Sequence, residues 1–263
     1  MRVLFIGDVV GKAGRRAIAD ALPGLRARWA PDLVIANAEN AAGGIGLTAP
    51  LADELLDLGI DVLTSGNHIW GKKGSDELVE RCGRLLRPAN YPPGTPGRGF
   101  GVFRTEAGVP VGVVNLQGRV FMQEIDCPFR VGAEIVRALR SQAAVIIVDF
   151  HAEATSEKVA LAWHLSRAVT AVLGTHTHVQ TADERILEGF TAHISDVGMT
   201  GPYDSVIGVR KELSIARFLT QIPQRFETAG GRYVLNAVVV DADEATGAAL
   251  AIERVALLGD EDE

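Results

Sequence analysis

The run Ala168-Val169-Thr170-Ala171-Val172-Leu173, closed by Gly174-Thr175-His176-Thr177-His178, is the stretch on which the reading of this chain turns. Apolar and β-type residues ending at a glycine read as a buried strand. The imidazoles that follow stand two residues apart, so in an extended chain both leave the backbone on one face and converge. Neutral imidazole is the commonest metal ligand among side chains, and open α/β sheets place their ligands at strand ends. The pattern repeats upstream. Val62-Leu63-Thr64 precedes Gly66-Asn67-His68, the run Val3–Ile6 precedes Asp8, and Leu33–Ala36 precedes Glu39. Each strand end delivers a metal-type side chain, and the set is far more specific than any member of it.

Working outward, short apolar runs alternate with helical patterns through most of the chain. The runs are Val3–Ile6, Leu33–Ala36, Val62–Thr64, Val111–Leu116, Val145–Phe150 and Ala168–Leu173. Between them, Arg15–Arg28, Ala49–Leu58, Phe129–Leu139 and Ser156–Arg167 carry apolar residues at helical spacing. This alternation predicts an α/β fold. Thr155 is placed to cap the last of these helices, with Glu157 in its first turn. Near the C-terminus, Arg232–Val240 and Ala248–Ala256 flank Ala242–Gly247 as a β-hairpin. Antiparallel strands after βαβ units predict a mixed sheet, or two stacked sheets. Arg87–Gly99, rich in Pro and Gly, reads as a loop and not a domain linker, because core-type runs continue on both sides. One domain over 1–263 is expected, with an acidic, solvated tail over 258–263.

Composition narrows the function. Of 263 residues, 47% are apolar and 22% charged, which describes a globular chain with a large core. A net charge of −7 argues against a duplex nucleic-acid binder. A small anionic ligand remains compatible if metal ions supply local positive charge. Cys82 and Cys127 are too few for a disulfide scaffold and fit a reducing cytosol. The run Val3–Ile6 is too short for a signal peptide, and no apolar run approaches the roughly 20 residues of a membrane span. The expectation is a cytoplasmic protein with no membrane partner; the oligomeric state stays open, a homo-oligomer included.

Asp8 lies in Gly7-Asp8-Val9-Val10-Gly11-Lys12-Ala13-Gly14-Arg15, after a strand and before a helix. The glycines fit a dinucleotide turn only loosely, and a carboxylate there would repel a pyrophosphate. A metal between the two reverses the sign. Glu39 follows a wholly apolar run, where a buried carboxylate is costly unless paired or metal-bound, and Asn40 offers an amide oxygen to the same ion. Asn67 and His68 are adjacent, so in an extended stretch they diverge: one ligand and one proton carrier. In Asp149-Phe150-His151-Ala152-Glu153, His151 is the better ligand candidate and Asp149 supports it or is structural. His164 and His193 carry no motif and read as structural. Arg119 could neutralise a phosphate or simply be a surface residue, and Ser195–Gly201 reads as a loop near the mouth of the site. Asp8, Glu39, Asn40, Asn67, His151, His176 and His178 exceed what one zinc needs and suit two ions sharing one carboxylate. Paired ions roughly 3.5–4 Å apart serve in-line displacement at phosphorus.

The order Gly-Asp, Glu-Asn, Gly-Asn-His, a lone His and Gly-Thr-His-Thr-His resembles the calcineurin-like metallophosphoesterases, and most closely their bacterial YmdB-like branch. Met1–Asp8, Asn37–Asn40, Gly66–His68, Gly118–Met122, His151–Lys158, Gly174–His178 and Asp196–Gly201 carry the likeness across nearly the whole chain. Val10 stands where the wider superfamily has a His and Glu39 where it usually has Asp; the YmdB-like branch shares both departures, with Asn40 filling the lost position. The resemblance implies a four-layer α/β/β/α sandwich of two mixed sheets with outer helices, and two transition-metal ions, iron or manganese favoured and zinc allowed. It assigns Asp8, Asn40 and His178 to one ion and Asn67, His151 and His176 to the other, with Glu39 bridging. It also implies phosphodiesterase activity on small cyclic nucleotides, notably 2′,3′-cyclic ones. A bridging hydroxide would attack, and His68, an imidazole suited to proton transfer, would serve as general acid. A 3′,5′-cyclic nucleotide phosphodiesterase, a phosphomonoesterase on the same site, and a nucleotide-binding regulator without turnover are the alternatives.

Overall fold

The structure, a computed structural model, describes residues 1–259. Alternation along β1 (Arg2–Ile6) sets the layering, with Val3 and Phe5 facing one apolar layer and Leu4 and Ile6 another. In β3 (Leu33–Asn37) the same split sends Leu33 and Ile35 one way and Val34 and Ala36 the other. Strands covered on both faces need apolar residues at every position, which is why these segments read as unbroken apolar runs.

In the first sheet, β1 lies parallel to β3, which is parallel to β4 (Val62–Thr64). On its other side β1 pairs antiparallel with β12 (Tyr233–Ala242), the partner of β13 (Ala249–Leu258) in the expected hairpin. β12 also meets β11 (Met199–Pro202), which pairs parallel with the two-residue β2 (Asp8–Val9). The second sheet runs β5 (Phe100–Arg104), β6 (Pro110–Gln117), β7 (Val145–His151), β8 (Ala171–Thr175), β10 (Thr191–Ile194), β9 (Arg185–Leu187). Its four central strands are parallel and its edges antiparallel.

The two sheets meet face to face where Val3, Phe5, Leu33 and Ile35 pack with Val111, Val113, Val145 and Ile147. The outer face of the first sheet is covered by α1 (Gly11–Trp29), α2 (Ala49–Asp57) and α3 (Ser75–Arg81). The second is covered by α4 (Pro128–Leu139) and α5 (Thr155–His164). The result is the α/β/β/α sandwich of two mixed sheets. A further helix, α6 (Lys211–Thr220), precedes β12.

Some boundaries differ from the sequence reading. Strand β8 begins at Ala171, not Ala168, because Arg167 takes a left-handed φ of 62° and Ala168 donates to the Leu165 carbonyl in a turn. Thr155 is the first helical residue of α5 and Ala154 its cap. Glu157 does more than face a helix dipole: its carboxylate accepts the Arg119 N–H at 3.0 Å and the Val120 N–H at 3.2 Å. Met199–Pro202 is a strand, so Ser195–Gly201 is a loop only in part. β13 runs through Leu258, one residue into the expected tail, and 260–263 lie outside the described residues. Cys82 and Cys127 are free thiols. Among the described residues no helix is long and apolar enough to cross a membrane.

Candidate metal centre

The strand ends can approach one another because glycine stands at each crossing. A Cβ on Gly66 would overlap the His151 ring, one on Gly174 the Ser195 carbonyl, and one on Gly7 the Gly198 carbonyl. The glycines of Gly-Asp, Gly-Asn-His and Gly-Thr-His are therefore packing requirements that let the following residue reach the site.

Glu39 stands at the middle of the cluster. Its Oε1 lies 3.0 Å from His151 Nε2, 3.2 Å from His68 Nδ1 and 3.4 Å from Asn40 Nδ2. Its Oε2 accepts the His68 backbone N–H at 2.8 Å. On one side, His151 Nε2 is 3.0 Å from both Asn67 Oδ1 and His176 Nδ1. On the other, His178 Nε2 is 3.3 Å from Asn40 Nδ2 and 3.9 Å from Asp8 Oδ1. All seven sequence-derived ligand residues thus come together with His68, from both sheets. Glu39, His151 and His176 present ligand atoms within 4.8 Å of one another.

The local backbone is not what the sequence suggested. β8 ends at Thr175, and His176 and His178 both have positive φ, 103° and 67°. They do not share a strand face; their positive-φ turns carry them to different partners, His176 to His151 and His178 to Asn40 and Asp8. Such residues cost of order 1–3 kcal/mol each and persist where the surroundings fix them. Here Asp8 Oδ2 accepts the His176 N–H at 3.1 Å, Asp196 Oδ2 accepts the Thr177 N–H at 2.9 Å, and the Ile207 carbonyl accepts from His178 Nδ1 at 2.9 Å. Asn67 and His68 diverge as expected, but through a turn, not an extended stretch.

A second ring of contacts sets tautomers. Thr175 Oγ1 donates to Asp149 Oδ1 at 2.7 Å, so it accepts from His151 Nδ1 at 2.9 Å and turns Nε2 toward Glu39. Asn37 Nδ2 donates to Asp149 Oδ2 at 2.9 Å. The pair Lys158–Asp196, at 2.7 Å and almost wholly buried, anchors the Gly-Thr-His-Thr-His loop from α5. Sequence reasoning missed Thr175, Asn37, Lys158 and Asp196 in these roles. Asn37 lay two residues before Glu39 and Thr175 one before His176, but neither type is a metal signal. Glu153 Oε2 lies 3.2 Å from His176 Nε2. His164 ends α5 on the surface, His193 is buried on the Val172 carbonyl, and the Arg119 side chain is exposed.

The electrostatics call for cations. Asp8 Oδ1 is buried with no hydrogen-bond partner, a costly state for a carboxylate oxygen. Burial raises the Asp8 pKa, against the pull of His178 and His151. Burial would raise Glu39 too, but the charge and hydrogen bond of His151, helped by His68, hold it well below the usual carboxylate range. Asp149 is pushed up to about 7 by burial. Burial alone would lower His151, yet Glu39, Asp8 and Asp149 raise it to about 9. Burial and the charge of His151 lower His176 to about 3. Without metal the carboxylates around His151 favour its protonated form; metal ions at the same locus would balance the same charge and give Asp8 Oδ1 a partner. The residues fit such ions, and a donor set of carboxylate, amide and imidazole suits iron, manganese or zinc.

A family model described as YmdB-like protein matches residues 4–255. A Bacillus subtilis (strain 168) protein described as a 2′,3′-cyclic-nucleotide 2′-phosphodiesterase is 46% identical over 260 residues, covering 99% of this chain and 98% of that protein. A solved structure from Thermus thermophilus, described as a hypothetical protein, superposes with a TM-score of 0.92 at 44% identity, covering 98% of this chain and 100% of that one. A Mycoplasma pneumoniae structure described as a novel phosphatase superposes with a TM-score of 0.93 at 36% identity, covering 99% of this chain and 94% of that one.

Proposed function

The chain belongs to the YmdB-like family, and from that membership and the geometry of its cluster we propose that it is a metal-dependent phosphoric-diester hydrolase whose substrate is a small cyclic nucleotide, a nucleoside 2′,3′-cyclic phosphate. The observation that carries this reading is the unpartnered Asp8 Oδ1, buried 3.9 Å from His178 Nε2, in one cluster with Glu39, whose carboxylate lies 3.0 Å from His151 Nε2. On the division that the family resemblance implies, Asp8, Asn40 and His178 would hold one ion and Asn67, His151 and His176 the other, with Glu39 available to both. Two such ions, when bound, provide a nucleophile at neutral pH and neutralise charge on the phosphoryl oxygens.

The chain's own residues do the rest. Thr175 Oγ1 and the Ile207 carbonyl take Nδ1 of His151 and His178, which leaves Nε2 of each aimed inward as the ligand atom. His68 is the general acid. Its Nδ1 lies 2.8 Å from Asn40 Oδ1 and 3.2 Å from Glu39 Oε1, two acceptors for an Nδ1–H. The cationic ring that a general acid requires then carries its second proton on Nε2, the nitrogen left to meet the departing ribose oxygen, and giving it up leaves a neutral imidazole. A net charge of −7 suits a small diester held by metals, not a long nucleic acid held by basic side chains.

The test is steady-state hydrolysis of 2′,3′-cyclic AMP, 3′,5′-cyclic AMP and 5′-AMP by metal-loaded protein, with elemental analysis of protein purified without added metal. The 2′,3′ isomer is expected to be the best substrate. Preference for 5′-AMP overturns the diesterase reading, preference for the 3′,5′ isomer overturns only the choice of ring, and no turnover leaves a binding protein.

A further inference from the structure

Beside the cluster lies a cavity of about 280 Å³ that shares Asn40, His68 and His178 with it and is walled by Ile45, Ile207 and Phe226. Those three are 48%, 51% and 43% exposed: large apolar side chains left open to water against the most polar part of the molecule. Apolar surface of this kind, rimmed by polar groups, marks a place where something binds. A larger cleft of about 460 Å³, lined by Arg26, Asp32, Asp61 and Arg104, adjoins the starts of β3 and β4, at the far end of the sheet from the cluster.

The backbone holds this cavity open. Gly44 and Gly208 line it with φ of 90° and 101°. A Cβ on Gly44 would stand 2.8 Å from Thr228 Cγ2, and one on Gly208 2.8 Å from Val10 Cγ1. Ile207 is left-handed at φ 46°, a strained state for a β-branched residue. Its turn, closed by reciprocal backbone bonds between Val206 and Val209 at 2.8 and 3.0 Å, does two things at once. Its carbonyl orients His178, and its side chain forms the cavity wall. The one carboxylate on the lining, Glu227, is 3.1 Å from Arg210. Apolar walls repel a phosphate and suit a flat, uncharged aromatic ring.

The geometry points to this cavity as the seat of the nucleotide's base. The cyclic diester sits at the cluster, the ribose passes between His68 and His178, and the base lies against Ile45, Ile207 and Phe226. This rests on the diesterase reading and adds to it the surface that makes a nucleotide the substrate. The test compares 2′,3′-cyclic AMP with glycerol 1,2-cyclic phosphate, a cyclic diester of the same ring size with no base. Wild-type protein is expected to favour the nucleotide in kcat/KM by roughly tenfold to hundredfold, and Ile45→Ser/Phe226→Ala to lose most of that ratio through KM. Equal kcat/KM on the two substrates in the wild type, or a preference that survives the double substitution, overturns the proposal. A second arm titrates adenosine 3′-phosphate by calorimetry and needs no turnover. If neither diester is hydrolysed, the diesterase reading falls and binding decides the cavity: loss of roughly tenfold in affinity in the double variant supports it, and equal affinities sink it. Should the double variant not fold, Ile45→Ser and Phe226→Ala are read singly in both arms.

Discussion

At the scale of single residues, His68 differs from its neighbours in facing outward, with 37% of its side chain exposed where Glu39 and His151 have none. A ligand should be enclosed and a proton donor should be reachable from the substrate side. His68→Ala is therefore expected to keep its metal content and lose on the order of 10²–10⁴ in rate on 2′,3′-cyclic AMP. On an aryl diester, whose leaving group departs without a proton, the loss should be much smaller. Equal losses on both substrates would mean that His68 positions the phosphate instead. His151 makes a second prediction, in the metal-free protein. Its pKa is raised from 6.5 to about 9 on folding, so its contribution is full below pH 6.5 and lost as pH rises through about 9. His176, lowered to about 3, and Asp149, at about 7, act mainly at lower pH. In chelator, unfolding by denaturant should need less denaturant at pH 9 than at pH 6.5. With metal present the trend should weaken or reverse, because ions compete with protons for the imidazole. A chelator-treated protein more stable at pH 9 would show that His151 does not hold that proton.

At the scale of elements, what the sequence disclosed and what it hid follow from one distinction. Strands buried on both faces, such as β3 and β7, announce themselves as apolar runs. β2, with two residues, and β11, with four, carry no periodicity to read, and they exist because Asp8–Val9 is docked onto Met199–Thr200 by tertiary contact. The ligand types were legible because Asp, Glu and His after apolar runs are unusual. Their delivery was not, because the left-handed φ of His176 and His178 is imposed by Asp8, Asp196 and Ile207, each distant in sequence. Lys158 and Asp196 both lie in segments that carry the family likeness, but their pairing was invisible for the same reason: a buried ion pair 38 residues apart leaves no local pattern. Gly66 shows where element packing meets chemistry. It follows β4 and abuts the His151 ring with no room for a methyl group, so Gly66→Ala should push β4 and β7 apart at the site. The expected result is a loss of about 1–3 kcal/mol in unfolding free energy together with metal content well below wild type by elemental analysis. A Gly66→Ala protein with full metal and full activity would show that the strand ends have slack.

At the scale of the whole molecule, the ligands divide between the two sheets. Asp8, Glu39, Asn40 and Asn67 belong to or follow strands of the first; His151 ends β7, and His176 and His178 follow β8 of the second. Away from the site the sheets are joined mainly by apolar packing of the cluster that contains Phe5 and Ile147, which has no directional preference. Near it they are joined by a few hydrogen bonds such as Asn37 Nδ2 to Asp149 Oδ2. Ions held by both sheets would fix their relative placement and tie native-state stability to metal concentration, since the unfolded chain cannot gather ligands so far apart in sequence. At free metal of about a thousand times Kd, the gain is about 4 kcal/mol for a single site. For a chain of this size each kcal/mol moves Tm by about 2–4 °C, so chelation should lower Tm by roughly 8–16 °C per site emptied. Adding back metal should restore it with two ions taken up per chain. Glu39→Gln, which weakens the one carboxylate that reaches both sides of the cluster, should reduce uptake of both ions. Uptake of one ion per chain in the wild type, or loss of only one in Glu39→Gln, would separate the sites and remove Glu39 from its bridging role.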